Sequence, residues 1–304
     1  MRRFNFREKF DKYFLTLKRK LRGKFYFYSA LLPEKNSQID ILSEKVSNCV
    51  NKGISISENI INLNSIKEKN NFFPLLEGEN FLENSFYKSL NKEVSGLLED
   101  TKLIKEKQNE VGRSNLLVDK RYGTDNLREL RRRNSPLYLL YKSLDSFEFR
   151  SFLYKKFNKY LLENGLTTSP INSFIKSDLY CMYCEGTKDY ENYIHTDRRS
   201  IVVQGLMYFG SQDFKGGEFS IYKHKKLNIT DYKGTPDYDD ILESRAIEAS
   251  NNKAVFFLNT PNSYHKGKCS GGLRRFLCWS FALPKSCWIN TKNYGEISYK
   301  KVVG

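Results

Sequence analysis

Histidine is scarce in this chain: three occur in 304 residues, His195, His224 and His265. With so few available, a pattern that uses two of them is seldom accidental. Long apolar runs are absent as well. None approaches the roughly 20 residues that a membrane-spanning helix requires, so a transmembrane protein is not expected. The first apolar stretch, Phe10 to Leu21, is interrupted by Asp11, Lys12 and Lys18-Arg19-Lys20. That leaves no h-region for a secretory signal. Cysteine is limited to six unevenly spaced residues, which do not read as a disulfide framework. A reducing, cytoplasmic location is the expectation.

Acidic residues are under-represented: 35 Asp and Glu face 51 Lys and Arg, a net charge of +16. The surplus is uneven. Residues 1–24 carry ten basic and two acidic side chains, a local +8. A second cluster runs from Lys120 through Arg128, Arg131, Arg132 and Arg133. A basic start of this kind can meet an anionic partner such as nucleic acid, a membrane surface or an acidic protein, or can simply be a solvated helix face. Hydrophobic content of 39% and aromatic content of 14% are those of a folded chain.

Organisation changes near Ser135-Pro136. Residues 1–134 form a basic, mostly helical N-terminal region without a recognisable motif. Residues 135–304 form a second unit. Within it, Leu137 to Leu144 and Phe147 to Leu162 have helical spacing, with Asp145 or Ser146 placed to cap the second helix. After Thr167 the pattern becomes β. Leu179–Met182, Tyr190–Asp197, Ile201–Phe209, Gly217–Tyr222, Ala254–Leu258 and Arg275–Leu283 read as strands. Gly216-Gly217, Asn251-Asn252 and Gly271-Gly272 mark turns between them. The fold class expected is mainly β with α: a double-stranded β-helix, or jelly roll, braced by N-terminal helices.

The chemistry-bearing pattern lies inside these strands. Side chains two apart on a strand share a face, so His195 and Asp197 can approach one ion together. His265 follows 68 residues after Asp197, on a later strand, and can complete a two-histidine, one-carboxylate set. Such a set occupies one face of an octahedral Fe(II) and leaves open positions. Arg274 and Arg275 follow, nine and ten residues after His265, on opposite sides of their strand. A guanidinium there can hold a carboxylate in a two-pronged pair. Cys181-x-x-Cys184 has zinc-like spacing, but no second pair at finger spacing follows it. His224 is expected on a surface turn, and Lys225 to Ser250 as either a lid or a solvated connection.

Several pieces in order resemble the prolyl-4-hydroxylase-like branch of the 2-oxoglutarate/Fe(II) oxygenase superfamily. They are Tyr-Ile-His195-Thr-Asp197, Gly205-Leu206-Met207-Tyr208-Phe209 and Gly216-Gly217-Glu-Phe-Ser-Ile. Then come Ala254-Val-Phe-Phe-Leu-Asn259, Ser263-Tyr264-His265 and Leu-Arg274-Arg275-Phe-Leu-Cys-Trp279-Ser-Phe. The resemblance covers about half the chain, from Ser135 to Pro284.

It implies His195, Asp197 and His265 as iron ligands. It also implies Arg274 or Arg275 as the anchor for the outer carboxylate of 2-oxoglutarate, with Gly272-x-Arg274 favouring the former. Tyr208 lies where relatives often place a tyrosine on that carboxylate, and it can equally be a packed core residue. The implied activity is a dioxygenase that hydroxylates a small-molecule, sugar or peptidyl substrate and releases succinate and CO2, with ascorbate a candidate reductant. Asp197 argues against halogenation, for which relatives carry a small residue in its place. Two other readings stay open: a catalytically silent jelly-roll binding protein, and a nucleic-acid demethylase of the same superfamily. A cupin-type metal protein would normally show H-x-H, and Asp197 departs from that.

Overall fold

The computed structural model describes residues 60–69, 71–108, 112–120, 122–163, 177–187, 190–198, 201–210, 218–225, 235–269 and 271–282. The basic segment 1–24 and the Gly216-Gly217 turn lie outside these residues. Among the described residues no helix is long and apolar enough to cross a membrane.

Seven strands follow the pattern change: β5 (Asp178–Gly186), β6 (Ile201–Phe209), β7 (Phe219–His224), β8 (Ile241–Ile247), β9 (Ala254–Leu258), β10 (Tyr264–Gly267) and β11 (Arg274–Ala282). Four more precede it: β1 (Ile66–Lys69), β2 (Leu75–Gly78), β3 (Glu106–Gln108) and β4 (Arg113–Leu117). They build an antiparallel sheet in the order β1-β2-β9-β6-β11-β5-β4-β3, opposed by a smaller one in the order β10-β7-β8. Residues 190–195 lie beside β10 through the bridges Glu191–Lys268 and His195–His265. Four strands, β9-β6-β11-β5, therefore face four, with the segment 190–195 as the last of the smaller layer. That alternating order is a jelly roll.

The central strands are buried on both faces, which explains why Ala-Val-Phe-Phe-Leu of β9 is apolar throughout. Inward residues Leu206, Tyr208, Phe219, Ile221, Val255, Phe257 and Phe276 fill the barrel. Outward residues Met207, Phe256, Leu277 and Trp279 join a second core with the helices. Those helices are α1 (Asn84–Val94), α2 (Thr124–Arg132), α3 (Pro136–Leu144) and α4 (Phe147–Glu163). Their starts follow capping chemistry. Ser135 accepts a hydrogen bond from Tyr138 N with Pro136 in the first turn. Ser146 Oγ accepts from Phe149 N at 3.2 Å.

Residues 60–134, expected to be mostly helical, supply four strands as well as two helices, and those strands extend the same sheet that carries the barrel. The short, lysine-rich segments β1 and β3 are edge or near-edge strands without an apolar alternation to announce them. The division anticipated at residue 135 falls between α2 and α3, inside the helical layer. Phe81 shows how closely the early segment is joined. Its ring is fully buried and meets Phe149, Phe256 and Trp279 at centroid distances of 6.4, 5.5 and 6.0 Å. Asn252, at φ 57°, turns into β9, and its side chain donates to Leu82 O and accepts from Leu82 N, each at 2.8 Å.

Phe81→Ala is expected to destabilise the whole domain by about 3–5 kcal/mol in one cooperative unfolding transition. Chemical denaturation followed by circular dichroism measures this. A separate early transition, with the barrel unfolding unchanged, would show that residues 60–134 are not part of the barrel's core.

Candidate metal centre and anion pocket

The segment 190–197 and β10 hold each other by reciprocal backbone bonds: His195 N donates to His265 O at 3.0 Å and His265 N to His195 O at 2.9 Å. Two residues paired in this way present their side chains on the same face. The imidazole centroids consequently lie 4.4 Å apart. Asp197, two residues after His195, reaches the same point. One donor atom from each of His195, Asp197 and His265 falls within 4.8 Å of the others.

Both rings are oriented by the backbone. His195 Nδ1 lies 2.9 Å from Tyr193 O, and His265 Nδ1 lies 2.9 Å from Ser263 O. A proton on each Nδ1 satisfies those carbonyls and leaves Nε2 as a lone-pair donor. Asp197 Oδ2 is buried without a hydrogen bond and sits 3.7 Å from His265 Nε2. That pair is not an ion pair at neutral pH. Burial, reinforced by His195, lowers the His265 pKa to about 3, so its ring is neutral. Burial raises the Asp197 pKa to about 6, offset in part by His195 and Arg198. An orphaned carboxylate oxygen beside two oriented imidazoles is a donor set that fits a divalent transition metal. Asn259, fully buried, braces the loop after Asp197 by donating to Arg198 O and Ile201 O, each at 3.0 Å.

The two arginines part company at the start of β11. Arg274 points into the barrel and is 1% exposed. It lies over the rings of Tyr190, Tyr208 and Phe276 at 5.3, 5.4 and 4.7 Å. Its Nη2 donates to Tyr208 Oη at 3.4 Å, while Nε and Nη1 are buried without partners. Arg275, on the other face, pairs with its cross-strand neighbour Glu185 at 3.2 Å. A buried guanidinium with unmet N–H groups on Nε and Nη1 is costly, and an anion beside it would offset that cost. Gly267 makes the room: a Cβ there would stand 2.4 Å from Arg274 Nη1.

Other sequence expectations resolve differently. His224 is not on a surface turn. It is 5% exposed, stacked on Tyr264 at 5.4 Å, and 3.5 Å from Asp240. Its position at the end of β7, beside the turn before β8, encloses it. Within the stretch expected as a lid or solvated connection, residues 241–247 form β8. Cys181 and Cys184, three apart on β5, belong to different cores, one on each side of the sheet, so strand alternation separates them. Tyr190, Gly267 and Gln204, all at the site, carried no motif. Gln204 lies on the inward row of β6, where its Nε2 faces Cys278 Sγ at 2.7 Å and its Oε1 accepts from Ser280 Oγ at 2.6 Å.

Fold and site together define a jelly-roll protein with a two-histidine, one-carboxylate cluster and a buried arginine pocket. No family model matches the chain, and no curated protein matches it in sequence. Solved structures that it is similar to are prolyl hydroxylases and other 2OG-Fe(II) oxygenases. A Pseudomonas putida prolyl-4-hydroxylase shares 16% identity over 69% of this chain and 92% of its own, with a TM-score of 0.42. A Trichoplax adhaerens prolyl hydroxylase, in complex with a hypoxia inducible factor peptide fragment, shares 14% over 84% and 96%, at 0.43. A 2OG-Fe(II) oxygenase family oxidoreductase from Burkholderia pseudomallei shares 9% over 68% and 85%, at 0.41.

Metal affinity is expected to fall as the pH drops through about 6, because the proton that Asp197 then retains must leave before the carboxylate can ligate. The loss should approach tenfold per unit below that point. Titration with Mn(II) between pH 5 and 7.5 measures it, and an affinity that does not vary over this range would remove Asp197 from the ligand set. Gly267→Ala is expected to displace the Arg274 guanidinium and weaken any carboxylate held there about tenfold or more while metal affinity holds. Calorimetric titration of the metal-loaded variant with 2-oxoglutarate checks this.

Proposed function

We propose that this protein is an Fe(II)/2-oxoglutarate-dependent dioxygenase that hydroxylates a small-molecule, sugar or peptidyl substrate. The observation that carries the reading is the joint presence, inside one barrel, of the His195–Asp197–His265 cluster and the unmatched Arg274 guanidinium. The chemistry that iron, the keto acid and dioxygen would supply when bound is insertion of one oxygen atom of O2 into a substrate C–H bond, with the other atom entering succinate as 2-oxoglutarate loses CO2.

In this reading His195, Asp197 and His265 hold the iron, and the Nδ1 contacts to Tyr193 O and Ser263 O keep both imidazoles in the ligating tautomer. Arg274 takes the outer carboxylate of 2-oxoglutarate, with the Tyr208 hydroxyl beside it. The aromatic walls of Tyr190, Tyr208 and Phe276 exclude water from that pair and strengthen it. Arg275 has no part in the pocket, since Glu185 already pairs with it. Tyr193, 60% exposed and edge-on to His195 at 5.5 Å, stands at the open side, where a substrate side chain could rest. We assign residues 60–134 the role of a brace on the barrel. An intact ligand set disfavours a silent binding protein, which would have no need of an unpaired buried carboxylate.

Anaerobic titration with Fe(II) and 2-oxoglutarate tests the reading. A visible charge-transfer band is expected in the parent protein. His195→Ala should abolish it, Arg274→Ala should raise the keto-acid concentration needed by about 10²-fold or more, and Arg275→Ala should leave it unchanged. No band in folded, metal-loaded parent protein rejects the oxygenase reading. Persistence in Arg274→Ala with loss in Arg275→Ala reverses the assignment of the arginines.

A further inference from the structure

The inward face shared by β6 and β11 is polar at both ends and apolar between. Gln204, Leu206 and Tyr208 follow one another on β6, and Arg274, Phe276, Cys278 and Ser280 on β11. In register, Phe276 pairs with Tyr208, Cys278 with Leu206 and Ser280 with Gln204. Arg274 and Tyr208 therefore make one polar end, and Gln204 with Ser280 makes the other. Tyr208 and Gln204 are about 13–14 Å apart along the strand. Leu206 and Phe276 line the stretch between them.

The Gln204 end borders the metal cluster. Gln204 pairs with Phe257 of β9, and the Phe257 ring meets that of His265 at a centroid distance of 4.8 Å. Toward β11, Cys278 is close enough to Asp197 to feel its charge, while burial keeps the thiol protonated. Gln204 is itself 7% exposed. Ser280 Oγ donates to its Oε1 at 2.6 Å, which turns Nε2 toward Cys278 Sγ, 2.7 Å away. An amide nitrogen carries two N–H groups. One faces the sulfur, and among the described residues no second acceptor meets the other. Leaving a buried N–H unmet is costly. An apolar side chain of the same length would fill this place in the barrel without that cost, so the amide calls for an acceptor that arrives with a ligand.

We propose that Gln204 binds the inner, keto-bearing carboxylate of 2-oxoglutarate: Nε2 donates to it, and Arg274 holds the outer carboxylate at the far end of the row. This rests on the oxygenase reading above. A keto diacid matches the row group by group, with oxygen atoms at each end and its methylenes against Leu206 and Phe276. The hydroxyl of Ser280 fixes the amide so that a donor, not the carbonyl oxygen, faces the metal side. A Gln204 that only packs the barrel would be replaceable without effect on either end of the ligand.

The test compares 2-oxoglutarate with 2-oxopentanoate, which has the same chain length and keeps the keto-carboxylate but lacks the outer carboxylate. Affinities are measured by calorimetry on full-length, Mn(II)-loaded protein, with thermal melts as the folding check. Gln204→Met, which keeps the length and removes the donor, is expected to weaken both acids by the same factor, about tenfold, with Mn(II) affinity unchanged. Arg274→Gln should weaken 2-oxoglutarate alone. Unchanged affinity for both acids in Gln204→Met overturns the proposal. Loss confined to 2-oxoglutarate also overturns it, because the amide would then serve the outer carboxylate. So does a parallel fall in Mn(II) affinity, since the effect would then come through the metal ligands. Each of these outcomes leaves the oxygenase reading intact, whereas failure of the parent protein to bind 2-oxoglutarate overturns both. If Gln204→Met does not fold, Gln204→Glu, equal in shape and unable to donate when ionised, decides by the same criteria.

Discussion

The antiparallel pairing of residues 190–197 with β10 is the constraint from which the site follows. Reciprocal hydrogen bonds between His195 and His265 bring two imidazoles to one point from positions seventy residues apart in the chain. Strand alternation then delivers Asp197 to the same place without any further device. A one-residue slip in this pairing would turn both His195 and Asp197 outward. Everything that stiffens the pair therefore serves the site: the Asn259 amide under the loop after Asp197, and the backbone carbonyls that orient both rings.

The barrel holds its polar chemistry by enclosing it. Arg274, Tyr208 and Tyr190 are almost wholly buried, so each charge or hydroxyl acts in a medium that screens it weakly. The same burial pushes Asp197 toward its protonated form and His265 toward its neutral one. Such an interior holds an unmet carboxylate oxygen on Asp197 and two unmet guanidinium nitrogens on Arg274. The second core, on the outer side of the sheet, is built mainly from aliphatic and aromatic side chains. It is apolar from Phe81 to Trp279 and supplies the rigidity that a partly unsatisfied interior requires.

Much of this was legible in the chain. His-x-Asp on an alternating segment, a distant histidine after an apolar strand, and an arginine nine residues on predict the ligand types and their order. Two features were not legible, for a common reason. His224 sits in a run of lysines whose local character is that of a surface turn, and only the closure of β7 against the turn before β8 buries it. Strands β1 to β4 lack apolar alternation because they lie toward the sheet's edges, and only their hydrogen bonding to β9 and β5 identifies them.

Local sequence sets which residues alternate, where apolar runs begin and end, and which side chains have the chemistry to ligate a metal, because these depend on near neighbours along the chain. Tertiary structure alone decided that Arg274 turns inward while Arg275 meets Glu185. It also decided that Gly186 leaves room for Tyr190 and that Gln204 shares a row with Ser280. Those outcomes depend on register between strands distant in sequence, and register is set by the packing of the whole sheet rather than by any local pattern.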